Sequence, residues 1–241
     1  MRSAFRVARA LSWAVLLAML SLLQYSCDQG WVELREDMVR EQVAERGIGD
    51  PAVLAAMRTV PRHLFVDEAF AHQAYQDTAV PIGHGQSTPQ PYIVALMTEL
   101  LEVQEGDRIL EIGTGSGYQA AILTAMGAEV FTIEIRPQLC ERAQATLRQL
   151  GFSTVRVRCG DGYGGWPEQA PFDGILVTAA DEHIPEPLWD QLRIGGQLVI
   201  PIGDSVYKDL KVMTRTEDGF EERSVLPVSF GGLDRQPGDG G

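Results

Sequence analysis

Three glycines and three carboxylates at set intervals are the residues in this chain best suited to chemistry. Glu111-Ile-Gly113-Thr114-Gly115-Ser-Gly117 continues an apolar run that starts at Arg108. Val130-Phe-Thr-Ile-Glu134 comes later and ends 21 residues after Gly113. The first stretch reads as a buried strand entering a glycine loop and then a helix, the second as another strand ending on a carboxylate. Glycines let the backbone pass close to a ligand where a Cβ would clash. A carboxylate at Glu134 can accept two hydrogen bonds from a ribose diol. Gly160-Asp161-Gly162 follows a later strand, and there Asp161 can accept from the exocyclic amine of adenine. This is the layout of a nucleoside-cofactor site. The spacing Gly-x-Gly-x-Gly is not the G-x-G-x-x-G of pyrophosphate-binding folds. It points to a cofactor without a pyrophosphate, for which S-adenosylmethionine is the usual identity. The candidate cofactor residues are Glu111, Gly113, Thr114, Gly115, Gly117, Glu134, Asp161 and Gly162.

The elements that must hold these residues alternate. Strands are expected at 108–113, 129–135, 154–159, 173–179 and 196–202, and helices at 117–126, 137–150 and 186–193. Most of these strands are β-branched runs without clean alternation, which suits a parallel sheet covered on both faces. From Lys208 to Phe230 the pattern alternates and carries Asp218-Gly219, a hairpin signal. The fold class is therefore α/β: a doubly wound, mostly parallel sheet finished by an antiparallel C-terminal strand pair. Residues 32–58 predict helices, with Asp50-Pro51 as a cap followed by proline at the first helical position. Val60–Val66 reads as an extended connector. Residues 67–92 read as a long irregular segment of the kind that carries function.

The bulk properties narrow the class. The chain has 241 residues, enough for one sizeable α/β domain. Its net charge of −13 and lack of a basic run argue against a nucleic-acid partner. Cys27, Cys140 and Cys159 form no metal-binding spacing, so no metal is expected, and they read as small thiols, buried where the pattern is apolar. Arg2, Arg6 and Arg9 precede the apolar run Ala10–Leu23, and Cys27 follows. Residues 1–30 therefore resemble an export signal and are set apart from the fold. Residues 31–233 form the single domain, of which 31–105 carry helices and loop and 106–233 the sheet. Residues 234–241 read as a disordered tail.

Beyond the glycine loop, several stretches carry a narrower likeness. They are Val60-Pro-Arg-His-Leu-Phe-Val66, Pro81-Ile-Gly-His-Gly-Gln86, Gln90-Pro-Tyr-Ile-Val-Ala-Leu-Met97 and Gly160-Asp-Gly-Tyr-Gly-Gly-Trp166. Pro171–Ala180 and Gly195–Pro201 extend it. On these the chain resembles the protein-L-isoaspartate O-methyltransferases from about Val32 to about Phe230. The resemblance implies a Rossmann-like methyltransferase sheet with an N-terminal helical extension, and S-adenosylmethionine as methyl donor. The implied reaction puts the methyl group on the free α-carboxylate of isoaspartyl residues in damaged proteins and peptides. The ester then closes to a succinimide whose hydrolysis restores some aspartate. The implied partners are such proteins and peptides, met by a monomer, with membrane contact only through residues 1–27.

One departure falls at the centre of the likeness. The family usually reads Gly-Gln-Thr-Ile-Ser-Gln-Pro and uses that serine. This chain reads Gly85-Gln86-Ser87-Thr88-Pro89-Gln90-Pro91, so Pro89 stands in the serine position without a hydroxyl or an N–H. Ser87 and Thr88 become the candidate catalytic hydroxyls, with Asp77, Gln86 and Gln90 as candidate substrate residues. The rival readings are a methyltransferase for another carboxylate or small molecule, and a noncatalytic cofactor-binding homologue. The expected location is the cytoplasm, as cofactor supply and the family imply; the alternative is export or a lipid anchor through residues 1–27.

Overall fold

The computed structural model describes residues 29–204 and 207–235. The signal-like residues 1–27, Cys27 and residues 236–241 lie outside the described residues. Residues 29–37 form helix α1, which passes into a π-helical stretch Met38–Val43 and a 3-10 turn Ala44–Arg46. Trp31 anchors this start by stacking on His63 with ring centroids 4.5 Å apart. Helix α2 spans Pro51–Thr59, and the Asp50 side chain accepts from the Ala52 and Val53 N–H groups as the cap signal predicts.

Between α2 and helix α3 (Pro91–Leu100) the chain is more regular than expected. The connector Val60–Val66 contains a 3-10 helix, Arg62–Phe65, and is not extended throughout. The segment 67–92 holds a second 3-10 helix, Glu68–Gln73, and a small antiparallel hairpin of strands β1 (Val80–Gly83) and β2 (Gln86–Thr88). Proline and glycine had marked the turns here. The alternation that marks strands is masked because each strand has only three or four residues.

The rest follows the expected alternation. Strands β3 (Arg108–Ile112), β4 (Glu129–Glu134), β5 (Arg156–Cys159), β6 (Phe172–Val177) and β7 (Leu192–Gly203) run parallel. Strands β8 (Lys208–Arg215) and β9 (Phe220–Pro227) close one edge antiparallel. The order is β5-β4-β3-β6-β7-β8-β9. Helices α4 (Tyr118–Ala125), α5 (Pro137–Gln149) and α6 (Glu186–Gln191) connect them. Side chains alternate between two apolar clusters. Ile109, Val130 and Leu176 face the first, with α2, α3 and α4. Leu110, Ile112, Phe131, Ile133, Ile175 and Val177 face the second, where Leu188 of α6 packs. Burial on both faces explains why the strands read as continuous apolar runs.

Two expectations are corrected. Asp234 and Arg235 belong to the ordered fold, each held by an ion pair, to Arg136 and to Asp181. Cys140 and Cys159 are not separate thiols; they form a disulfide with 5.6 Å between their Cα atoms. A separation of 19 residues and no shared motif give no sign of this in sequence. The partners meet because α5 returns along β5, which register pairing places beside Glu134 of β4. A loop of this length stabilises by roughly 3 kcal/mol. Peptide mapping without reductant is therefore expected to find Cys140 linked to Cys159, and Cys159→Ser to lower the unfolding free energy by about that amount, read as a lower urea midpoint. An unlinked pair, or an unchanged midpoint, would contradict the bridge.

Candidate active site

Strand order creates the site. From β3 the chain winds outward one way through β4 and β5, and the other way through β6 and β7. The connections diverge between β3 and β6, and a crevice opens beyond their carboxyl ends. It offers about 840 Å³ of open space. Its walls are the glycine loop, Ile133–Arg136, Gly162, Thr178 and the segment Gln86–Pro89.

The glycine loop is needed for chain packing as well as for ligand approach. A Cβ on Gly113 would stand 2.3 Å from Thr178 Oγ1, and one on Gly117 3.1 Å from Leu147. Both residues have φ in the left-handed region, at 98° and 88°. The loop is fixed from the next strand. Glu134, buried at the tip of β4, accepts from the Gly115 N–H at 2.8 Å and the Arg136 N–H at 3.0 Å. Each carboxylate oxygen keeps a second lone pair, and the residue lines the cleft.

Glu111 is the more unusual acid. It is fully buried, lies on the same face as Ile109, and lines the same cleft. Register pairs it with Thr132, whose hydroxyl donates to Glu111 Oε2 at 2.5 Å. Thr132 in turn bonds the Thr114 hydroxyl at 2.6 Å. Glu111 Oε1 has no hydrogen-bond partner among the described residues. Burial, reinforced by the charge of Glu134, pushes its carboxyl up to about 8, against the opposing Thr132 hydrogen bond.

A second cleft, with about 1250 Å³ of open space, shares Gln86, Ser87, Pro89, Thr178 and Ala179 with the first. Its far wall is Leu226–Gly231, beside Arg46, Gln90 and Tyr92. The β2 strand thus separates the two candidate hydroxyls. Thr88 is buried and lines the first cleft, whereas Ser87 is exposed where the clefts join. Gln86 and Gln90 line the second cleft; Asp77 lines neither and is ion-paired to Arg46 at 2.9 Å. Asp161 stands next to the wall residue Gly162 and accepts from the Tyr163 N–H at 2.7 Å. His84, exposed at the hairpin tip, lines neither cleft.

Sequence reading missed two arginines. Arg62 is fully buried and donates to the carbonyls of Ala74 (2.8 Å) and Pro89 (2.6 Å) and to the Thr88 hydroxyl (3.3 Å). Its guanidinium also lies over the Tyr118 ring at 4.7 Å, and burial lowers its pKa. A lone cation inside the apolar run 60–66 was the available signal, because a buried charge demands polar partners. Arg136 bridges three segments at the cleft mouth. It pairs with Asp234 at 2.6 Å and, with the Gln86 amide oxygen turned toward it, donates to that residue at 2.7 Å. Gly232, Leu233 and Asp234 consequently form part of the cleft wall.

Residues 33–235 match the family model described as protein-L-isoaspartate(D-aspartate) O-methyltransferase. A protein-L-isoaspartate O-methyltransferase of Gloeobacter violaceus is 53% identical over 83% of this chain and 98% of its own length. Protein-L-isoaspartate O-methyltransferase 2 of Shewanella sediminis is 50% identical over 88% of this chain and 87% of its own. The solved structure of a Plasmodium falciparum protein, described as a protein-L-isoaspartate O-methyltransferase in complex with S-adenosyl-L-homocysteine, is 25% identical. It superposes with a TM-score of 0.74 over 84% of this chain and 99% of that one. On the extent of the family match and the identity to these relatives, the chain belongs to the protein-L-isoaspartate(D-aspartate) O-methyltransferase family.

Proposed function

We propose that the two clefts hold the two reactants of the family reaction and that the methyl group passes between them at Gln86–Pro89. The chain is an S-adenosylmethionine-dependent methyltransferase acting on L-isoaspartyl residues. The observation that carries the site reading is the shared wall, in which Gln86, Ser87, Pro89, Thr178 and Ala179 face both clefts. When bound, the cofactor supplies an electrophilic methyl group on a cationic sulfur. The residues of the first cleft fit it: a buried acid with a free oxygen, a second acid with spare lone pairs, and a glycine loop. Glu134 would hold the ribose hydroxyls, Asp161 and Gly162 the adenine end, and Gly113–Gly117 the amino-acid end, with Thr114 fixing the loop.

The isoaspartyl carboxylate is ionised at neutral pH, since carboxyl pKa values lie near ~4. The chain therefore needs no strong base. It must strip water from one carboxylate oxygen and aim it. Thr88 is the hydroxyl better placed to do so. Its oxygen accepts from Arg62, which leaves its own proton to donate toward the substrate. Ser87 and the start of α3, whose N-terminal dipole favours an anion, complete the junction. Pro89 still contributes its carbonyl, which Arg62 holds. Gln86 and Gln90 face the peptide side. Asp77 acts indirectly, by orienting Arg46.

Pro89 is also the one observation that favours a second reading, in which the acceptor is another carboxylate. Paired peptides separate the two. Base-labile methyl label is expected on an isoaspartyl peptide and not on its aspartyl twin; label on neither, or equally on both, would reject the repair assignment. Losing a hydrogen bond to a charged group costs about 1.5–3 kcal/mol. Thr88→Val should then lower kcat/KM roughly 10–100-fold while S-adenosylhomocysteine affinity holds, with Ser87→Ala much milder. The reverse ranking would move the role to Ser87. Glu134→Ala should weaken S-adenosylhomocysteine in calorimetry by about 1–3 kcal/mol, and unchanged affinity would place the ligand elsewhere.

Location is a separate question. Among the described residues no helix is long and apolar enough to cross a membrane. Cofactor supply favours the cytoplasm. The Cys140–Cys159 disulfide supports an oxidising compartment, and the signal-like residues 1–27 support the same reading independently. Together they make export the better supported reading. Fractionation and N-terminal sequencing should find a mature chain starting near Cys27 outside the cytoplasm. A cytoplasmic chain retaining residues 1–27 would reverse it.

A further inference from the structure

An isoaspartyl residue within a chain carries one free carboxylate, because its side-chain carboxyl is spent on the peptide bond. In the family reaction that carboxylate belongs where the two clefts meet, at Gln86, Ser87, Pro89, Thr178 and Ala179. The rest of the second cleft is left for the neighbouring residues of the peptide. Its wall there is uncharged, from Ala79, Tyr92 and Ile93 to Leu226–Gly231, with one exception. Arg46 is the one charged residue lining this cleft among the described residues, and it does not line the first.

Arg46 is held in place. It ends the 3-10 turn Ala44–Arg46, and Gly47 then turns the chain with φ of 102°. Just beyond, the Gly49 and Asp50 N–H groups donate to Glu99 of α3 at 2.7 and 2.8 Å, which fastens the segment to that helix. The guanidinium lies 3.6 Å from the centre of the Tyr92 ring, on the first turn of α3. Nη1 donates to Asp77 at 2.9 Å, the one hydrogen bond that Arg46 makes from its side chain among the described residues. A guanidinium has five N–H donors in a fixed fork. The side chain is 39% exposed, so the unused donors are within reach of a ligand.

We propose that Arg46 selects among substrates by holding a carboxylate on the residue next to the isoaspartyl residue, so that sites with an acidic neighbour are favoured. This rests on reading the second cleft as the substrate cleft. The net charge of −13 works against an acidic peptide at long range. Within the cleft Arg46 is the group that reverses this. Tyr92 covers the face of the guanidinium and Asp77 takes one edge, which leaves a pre-oriented edge for a second carboxylate. Asp77 also limits the gain, because it offsets part of the charge and both side chains meet solvent.

The test is methylation of isoaspartyl peptides that differ in one residue. Glu, Gln or Lys is placed directly before or directly after the isoaspartyl residue, and both termini are blocked. Wild-type protein should show a kcat/KM about two- to fivefold higher for Glu than for Gln at one of the two positions, with Lys lowest. The difference should lie in KM, because Arg46 stands outside the junction where the methyl group moves, and it should fade as salt rises. Arg46→Gln should invert the order, since Asp77 is then uncompensated and repels the same carboxylate. Asp77→Asn keeps an acceptor for Arg46 and removes the opposing charge, so it should widen the preference for Glu. A merely structural Arg46 would lower all peptides alike. That result, or an order unchanged by Arg46→Gln, would overturn the proposal and leave the substrate cleft in place. Should Arg46→Gln not fold, the Glu-to-Gln ratio in wild type and in Asp77→Asn decides. Absence of methylation on every peptide by the wild-type protein would overturn the repair reading, and this proposal with it.

Discussion

A buried guanidinium holds the site together. Arg62 has no carboxylate in ion-pair reach among the described residues, so its charge is met by carbonyls, a hydroxyl and the Tyr118 ring. Those partners belong to the turn at Ala74, to β2 and its end at Pro89, and to α4. A residue on a short 3-10 helix thus locks the hairpin carrying Ser87 and Thr88 against the helix that follows the glycine loop. The alternative is an unsatisfied buried cation, which costs several kcal/mol. That cost makes the arrangement specific: the hairpin cannot shift without stranding Arg62.

The same logic operates with opposite sign at the strand tips. Glu134 compensates its burial with the backbone N–H groups of Gly115 and Arg136, and so fixes the bend of the glycine loop and the start of α5. Glu111 is compensated on one oxygen only. A fully satisfied acid thus stands next to a half-satisfied one at the floor of the cleft.

Around this centre, long-range ties close the structure. Arg136 joins the cofactor strand to Gln86 and to Asp234, so the C-terminal segment, the hairpin and β4 meet at one residue. Beside them the Leu233 N–H donates to the Ala180 carbonyl at 2.6 Å. The disulfide fastens α5 to β5 just before Gly160-Asp161-Gly162. Each tie lies within a residue or two of a candidate ligand contact, so the stability of this edge and the shape of the site are the same problem.

Sequence by itself determined the parts whose causes are local. Glycine spacing, strand-end acids and apolar runs gave β3, β4, the loop between β3 and α4, and the doubly wound class, because each depends on short-range backbone sterics and burial. Asp50-Pro51 gave the α2 cap for the same reason. The family likeness pointed to Gln86–Pro91 as the candidate substrate loop, and Pro89 in the serine position left Ser87 and Thr88 as its candidate hydroxyls. Tertiary structure decided what separates those two: β2 pairs with β1 so that Thr88 turns inward to Arg62 and Ser87 outward. It also decided the disulfide, the ordering of Asp234 and Arg235, and the unpaired oxygen of Glu111. These depend on which residues distant in the chain become neighbours once the sheet is ordered, and neither spacing nor composition carries that information.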